Sequence, residues 1–379
     1  MNTKLSKTAI VLLIFSLIVG LHCVNGYNQL PSRQGLLVKV AQESWKLTYK
    51  RLVSELAPQS KSGAYDRPTA QFVGSQSQIV LQDQGRYHLY LGNPCPWCHR
   101  VAIAYAILGL SSSSSSDPKG APLITVSQLE DNPLIATKGG WTFSSANPDP
   151  LFRANDLKAV YDLLSPGYEG KVTAPLLVDK KSRKIVSNES KDIVRLLGSN
   201  KFARNAQDPS RDNFHNVSNL RPKELSAAID ARNEWLYINF NNAVYRSGFA
   251  TEQGPYDEAV TAVAAALLSI EDILSQSKYM HGESVTESDI FLLPTVVRFD
   301  TIYSVLFKCT GNRISDFKHI QRWVKDMYLL PGVRDTFDLK DAVRSYYQQM
   351  FPLNPSRIVP LIITPSYLQK TPSYLQKTE

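Results

Sequence analysis

Cys95-Pro96-Trp97-Cys98-His99 is a stretch whose residue types and spacing can do chemistry. Proline is favoured at the first position of a helix, because the missing N–H is one that the helix leaves unpaired anyway, so Cys95 is the expected N-cap. A sulfur there faces free backbone N–H groups and the positive end of the helix dipole. Both favour thiolate over thiol and can draw a cysteine pKa to between about 3.5 and 7.5. A thiolate is the nucleophile of disulfide and thioether exchange. Cys98, one turn further and more buried, is either a resolving thiol or a bystander. Three other readings fit the five residues alone. Cys-x-x-Cys-His is also the attachment signature of c-type haem. A zinc half-site would need a second Cys/His pair, and the chain has none. Two cysteines can also serve as small core residues. The strand expected before the motif, the helix-start proline and a proline-led strand further on favour the redox thiol.

Those neighbours are legible as elements. Tyr87-His-Leu-Tyr-Leu91 alternates as a strand does, Gly92-Asn-Pro94 breaks it, and a helix is predicted over 96–108. Trp97, Val101, Ala104, Tyr105 and Leu108 should share one face, with Gly109 as the stop. The serine run 111–116 reads as a loop insertion. A second strand is expected over 123–126. An irregular stretch over 130–155 holds Gly139-Gly-Trp141, and loops of that length are usually functional. A short helix over 157–164, a hairpin of 171–179 with 184–187 and a helix over 190–197 complete a β-α-β-α-β-β-α unit. Beyond a polar linker the chain is helical. Leu225, Ile229, Leu236, Phe240 and Val244 suggest one long helix, and Pro255 starts an alanine-rich buried one. Thr286 with Asp289 gives a capping box, with Val285 and Ile290 as its staple.

The chain has 379 residues, 43% hydrophobic and 20% charged, enough for two domains. The net charge of +8 is spread rather than clustered, which argues against nucleic acid and leaves a mild field able to draw in an anionic substrate. Residues 1–26 have the basic, apolar and small-polar order of a secretory signal, with an apolar run too short for a confident spanning helix. No stable membrane span is expected in the mature chain. Of four cysteines (Cys23, Cys95, Cys98 and Cys309) one lies in that leader, and three do not make a disulfide framework.

The Cys-Pro-Trp-x helix after a strand, Thr173-Ala-Pro175 and Glu189-Ser190 resemble the glutathione site of a glutathione transferase. Asn241-Asn-Ala-Val-Tyr245, Ser247-Gly-Phe-Ala250, Arg298-Phe-Asp-Thr-Ile-Tyr303 and Phe307-Lys-Cys309 resemble the xi class, the glutathionyl-hydroquinone reductases. Phe351-Pro-Leu-Asn-Pro355 resembles the tail of the plant and cyanobacterial branch. The resemblance, over about residues 37–360, implies an α/β thioredoxin-like N-terminal domain followed by an all-α helical-bundle C-terminal domain. The expected division is 1–26 signal or targeting segment, 27–84 N-terminal extension, 85–199 glutathione-binding domain, 200–222 linker, 223–350 all-α domain and 351–379 tail.

The resemblance also implies roles. Cys95 is the nucleophile, with Cys98 as possible second thiol. Trp141 packs over glutathione. The backbone of Lys171, Val172, Thr173 and Ala174 pairs with the tripeptide as an added strand, next to a cis Pro175. Glu189 and Ser190 hold the γ-glutamyl end. Tyr245 is the proton donor and acceptor, and Tyr303 and Tyr346 correspond to tyrosines that lower the cysteine pKa. As residue types alone, the tyrosines are ordinary core residues, Trp141 a loop anchor and Glu189 a helix-start carboxylate. Many family members have Ala or Ser in place of Cys98, Val in place of Ala174 and His in place of Ser345.

The implied activity is glutathione-dependent reduction of glutathionyl-hydroquinones through a Cys95–glutathione disulfide, with no metal or flavin, by a homodimer acting on glutathione and an aromatic quinone-type substrate. The alternatives are a glutaredoxin-like thiol transferase or dehydroascorbate reductase using Cys95 and Cys98, or an idle transferase-like binding protein. The leader implies routing into the secretory pathway, or onward to a plastid; a misassigned start would leave the chain in the cytoplasm. Export would expose the sequons at Asn188, inside the expected glutathione site, and at Asn216.

Overall fold

The computed structural model describes residues 33–74, 85–110, 122, 124–199 and 219–369. The expected signal segment with Cys23, the serine run, Leu123, most of the linker and Asn216 lie outside the described residues. The chain divides into two bodies. In the first, part of the expected N-terminal extension folds as helix α1 (Arg33–Leu56). The second begins at Ala57 and carries the sheet and the other helices.

A five-stranded sheet in the order β3-β2-β1-β4-β5 is built from β1 (Tyr87–Gly92), β2 (Ile124–Asp131), β3 (Trp141–Thr142), β4 (Leu176–Asp179) and β5 (Lys184–Ser187). β1 runs parallel to β2 and antiparallel to β4. That central strand is buried along its whole length, not on alternate residues as its sequence suggests. Its polar member, His88, is satisfied between Thr125 Oγ1 (2.6 Å) and Ser127 Oγ (3.0 Å), and burial takes its pKa down to about 4. Helix α2 (Pro96–Ile107) leaves β1 at Cys95, and Gly109 ends it with φ +62°. Its buried residues include His99, Arg100 and Ile103 as well as Val101 and Ala104. Trp97, Tyr105 and Leu108 are only half-buried, so the expected single face was misjudged: α2 packs on the sheet and on the helical layer.

Helix α3 (Leu157–Leu164) is capped by Asp156, which accepts the Ala159 N–H at 2.9 Å. Helix α4 (Ser190–Leu197) follows β5. Residues 171–175 were expected to begin a strand, but regular pairing starts only at Leu176, after the cis Ala174–Pro175 bond. The rest of the described extension, residues 57–74, forms an arm ahead of the sheet. A turn closes between Ser60 and Ala64, and Gln59 bridges Tyr65.

The expected long helix of the second half is broken. Helix α5 (Ser226–Leu236) passes through a π-helical turn (Tyr237–Asn241) into α6 (Ala243–Phe249). Helix α7 (Gln253–Gln276) follows, then α8 (Glu287–Arg298), which runs into a second π-helical turn (Phe299–Tyr303). Helices α9 (Lys318–Leu329) and α10 (Leu339–Gln349) complete the layer. Asp289 accepts the Thr286 N–H and hydroxyl (2.9 Å each), the Met280 N–H (2.9 Å) and the Trp323 indole (2.9 Å), so the α8 cap is a buried junction of three segments. Arg195 of α4 reaches Glu287 (2.8 Å) and Asp230 and so ties the sheet layer to the helical layer. Among the described residues, no helix is long and apolar enough to cross a membrane.

Candidate active site

Cys95 caps α2 as its sequence requires. The Cys98 N–H donates to Cys95 Sγ at 3.3 Å, and the protonated thiol would donate to the Ala174 carbonyl at 3.6 Å. Burial pushes this thiol's pKa up. The Cys98 thiol and N–H donated to it, and the charges of Arg298 and Arg67, outweigh burial and bring it to about 7. Cys98 is 1% exposed, and burial followed by its contact with Cys95 holds its pKa well above the usual thiol value. The two sulfurs are therefore unequal: Cys95 ionises and Cys98 donates to it.

Beside Cys95 a cleft of about 100 Å³ is lined by residues 67–71 of the arm, Trp97, Tyr168, Lys171, Thr173, Ala174, Pro175, Asn188, Glu189 and Ser190. Six of the residues expected to bind ligand thus meet in one place. The Val172, Thr173 and Ala174 N–H groups donate to no group among the described residues, which leaves that backbone edge open. The edge is held from behind. Tyr161 donates to the Thr173 carbonyl (2.9 Å), Tyr168 to the Lys171 carbonyl (3.0 Å) and Asn188 Nδ2 to the Tyr161 hydroxyl (3.1 Å). Glu189 is the N-cap of α4 and accepts the Lys191 N–H (3.1 Å), while Ser190 donates to it (3.3 Å). An anionic end lying there would meet the helix N-terminus.

Trp141 does not line this cleft. Its ring lies against Gly92, where an added Cβ would come within 2.3 Å, so glycine is required three residues before the cysteine. Gly139, at φ +80°, brings the same loop against Val172, with 2.3 Å left between a built Cβ and the Val172 carbonyl. Val172 itself is buried.

The three tyrosines chosen from the sequence converge. Tyr245 on α6, Tyr303 in the second π-helical turn and Tyr346 on α10 form a closed ring of hydroxyl contacts: Tyr245–Tyr303 at 3.3 Å, Tyr303–Tyr346 at 3.2 Å and a short one between Tyr245 and Tyr346. Burial raises all three pKa values, so the phenols keep their protons at neutral pH. Trp97, which lines the cleft, lies 6.4 Å from the Tyr245 ring, centroid to centroid. The leading causes of the low Cys95 pKa are Cys98, Arg298 and Arg67, not Tyr303 and Tyr346. The coupling runs the other way, since the Cys95 thiolate helps to raise Tyr303.

Several site residues were missed in the sequence. Arg67 stacks on Trp97 at 3.8 Å from an arm that carried no signal of function. Asn188 was noticed only as a sequon. It is 7% exposed, and its amide is bonded to Tyr161 and to the Phe72 N–H (3.2 Å). Arg298 stood at the head of a quoted motif without a role. Among the described residues, no group of three or more His, Cys, Asp or Glu side chains is placed to hold a metal ion.

Comparison with known proteins agrees with this fold. Residues 253–326 match the family described as glutathione S-transferase, C-terminal domain. The chain is 37% identical to the glutathionyl-hydroquinone reductase YqjG of Escherichia coli, over 74% of this chain and 80% of that protein. A glutathione-bound structure of YqjG superposes with a TM-score of 0.65 at 35% identity, covering 80% of this chain and 91% of that one. Identity to the glutathionyl-hydroquinone reductase PcpF of Sphingobium chlorophenolicum is 36%, over 80% and 90% of the two chains. The xi glutathione transferase of Phanerochaete chrysosporium gives a TM-score of 0.70 at 32% identity, over 81% and 95%. With a thioredoxin-like sheet layer, a helical second half and relatives of this kind along most of its length, the chain belongs to the xi-class glutathione transferases.

Proposed function

We propose that this protein reduces glutathionyl-hydroquinones, with Cys95 as nucleophile. One observation carries the reading: a half-buried sulfur that ionises near neutrality stands beside three phenols that do not. The Cys95 thiolate attacks the glutathione sulfur of the substrate. A sulfur–sulfur bond forms, the sulfur–aryl bond breaks, and Tyr245 protonates the ring carbon that leaves. Hydroquinone departs, and Cys95 remains joined to glutathione. A second glutathione thiolate attacks that disulfide, regenerating Cys95 and releasing oxidised glutathione. In sum, the substrate is reduced at carbon and two glutathione sulfurs are oxidised.

The open edge of Val172, Thr173 and Ala174 would hold the tripeptide, with Glu189 and Ser190 at its γ-glutamyl end. Trp141 would close over it from the Gly92 side. The names of the relatives, glutathionyl-hydroquinone reductase, support the substrate class. Trapping the mixed disulfide tests the chemistry. Mass spectrometry after mixing the enzyme with substrate in the absence of free glutathione should find glutathione on Cys95, and release of hydroquinone without that adduct would overturn the reading.

A dithiol route is the second reading, favoured by the Cys98 thiol donated to Cys95. It predicts an intramolecular disulfide after turnover without excess glutathione. We further propose a homodimer of the plant and cyanobacterial branch, exported or sent to a plastid through its leader. The N-terminal sequence and the glycan state of the mature protein test that routing.

A further inference from the structure

We propose that Arg298 is the positioning residue that sets the reactive cysteine: it clamps the backbone immediately before Cys95 and places an uncompensated positive charge beside the sulfur. Its side chain is fully buried at the end of α8. Nη2 donates to the Asn93 carbonyl at 2.7 Å and Nε to the Pro94 carbonyl at 3.2 Å, the two residues preceding the cysteine. Nη1 donates to the Pro294 carbonyl of its own helix (3.0 Å) and to His99 Nδ1 (3.0 Å). The guanidinium lies 4.2 Å from the Phe337 ring centre.

His99 is the acceptor in that contact. Burial, then the Arg298 charge, holds the ring neutral, and its Nε2–H is left to donate to Thr336 Oγ1 (2.9 Å). Phe337 stacks on the same ring at 5.1 Å. Among the described residues no carboxylate pairs with Arg298. A buried cation is expensive, and fixed carbonyl dipoles compensate it only in part. An anion nearby completes the compensation. Arg298 lowers the pKa of Cys95, Cys98, Tyr303 and Tyr346 alike, and of these acids Cys95 is the one brought to about 7, while burial keeps the others high. The other groups facing that sulfur are Cys98 on the same helix, Arg67 on the arm and Tyr303 across the site. Of these groups, Arg298 is the one that both bears charge and fixes the loop.

The inference rests on the thiolate reading of Cys95, and the test separates the two. The rate of iodoacetamide labelling at Cys95 is followed against pH by mass spectrometry in the full chain. The reading of Cys95 fails if wild type titrates like a free thiol. If wild type titrates near 7, Arg298→Gln, which keeps amide donors but no charge, should move the midpoint up by about one unit, a tenfold loss of labelling at low pH. Arg298→Lys should keep most of the low midpoint. A folded R298Q enzyme with an unmoved midpoint overturns the proposal, as does a folded R298K enzyme titrating like R298Q. Should R298Q fail to fold, R298K decides alone: a midpoint near 7 supports the charge, and one in the ordinary thiol range refutes it.

Discussion

Two buried regions meet at this site, and their titratable groups move in opposite directions. At the mouth of α2, burial works against the Cys95 thiolate, yet two donors from Cys98 and two guanidinium groups win. In the ring of Tyr245, Tyr303 and Tyr346, burial works against the phenolate and the neighbours of Tyr245 only add to it. Desolvation alone pushes both kinds of acid upward; the sign of the outcome depends on whether donors and cations surround the anion. Pairs of groups driven apart in this way mark nucleophile and acid. Cys98 makes the same point one turn away, since it lies on the same helix but donates where Cys95 accepts.

The largest test of that contrast is removal of the thiolate. Cys95→Ala should bring glutathione-dependent reduction to background, a loss beyond about 10³-fold in kcat/KM, the scale on which nucleophile deletions act. Residual activity within tenfold of wild type would move the nucleophile elsewhere. Tyr245→Phe should cost about 10²-fold in kcat, the lower range of general-acid contributions, while the Cys95 labelling midpoint stays near 7. A shift of that midpoint would mean that the phenols act on the sulfur after all.

The pH profile sharpens the same comparison. A depressed thiol pKa leaves Cys95 charged above about 7 and protonated below it, so kcat/KM should fall on the acid side with a midpoint near 7. The phenols are raised above 10, so they should add no alkaline limb below pH 9. A bell centred near 8 would break the contrast.

Smaller effects follow. Cys98→Ala removes the thiol donor and keeps the backbone N–H. It should raise the Cys95 midpoint by about one unit, at least as far as loss of the Arg298 charge does, and slow turnover about fivefold at pH 7. A loss equal to that of Cys95→Ala would establish the dithiol route. Thr286→Ala, far from both regions, should cost about 1 kcal/mol in urea unfolding and leave the midpoint unchanged.

Local elements were readable because their causes are local. Pro96 after a broken strand made Cys95 a cap, and Thr286 with Asp289 marked the start of α8. Periodicity failed where tertiary contacts overrode it. The run from Leu225 to Val244 kept a helical face through a π-helical turn that the pattern does not register. The 171–175 stretch read as strand because its residues suit one, although the Val172, Thr173 and Ala174 N–H groups have no partner among the described residues.

Among the site residues, the tyrosines were found by motif, not by residue type. Their contact joins positions 43 to 101 residues apart, a distance at which spacing has no meaning. Arg67 and Arg298 were missed because a basic residue in an arm or at a helix end looks like any solvated charge.

The sequence by itself determined that a cysteine would stand at a helix mouth after a strand, since that geometry follows from proline, glycine and alternation over a dozen residues. Which groups surround the sulfur was decided only in three dimensions, when α8 and the 57–74 arm brought two guanidinium groups to it. Charge and burial act through space, and the distances that set them exist only once the chain has closed.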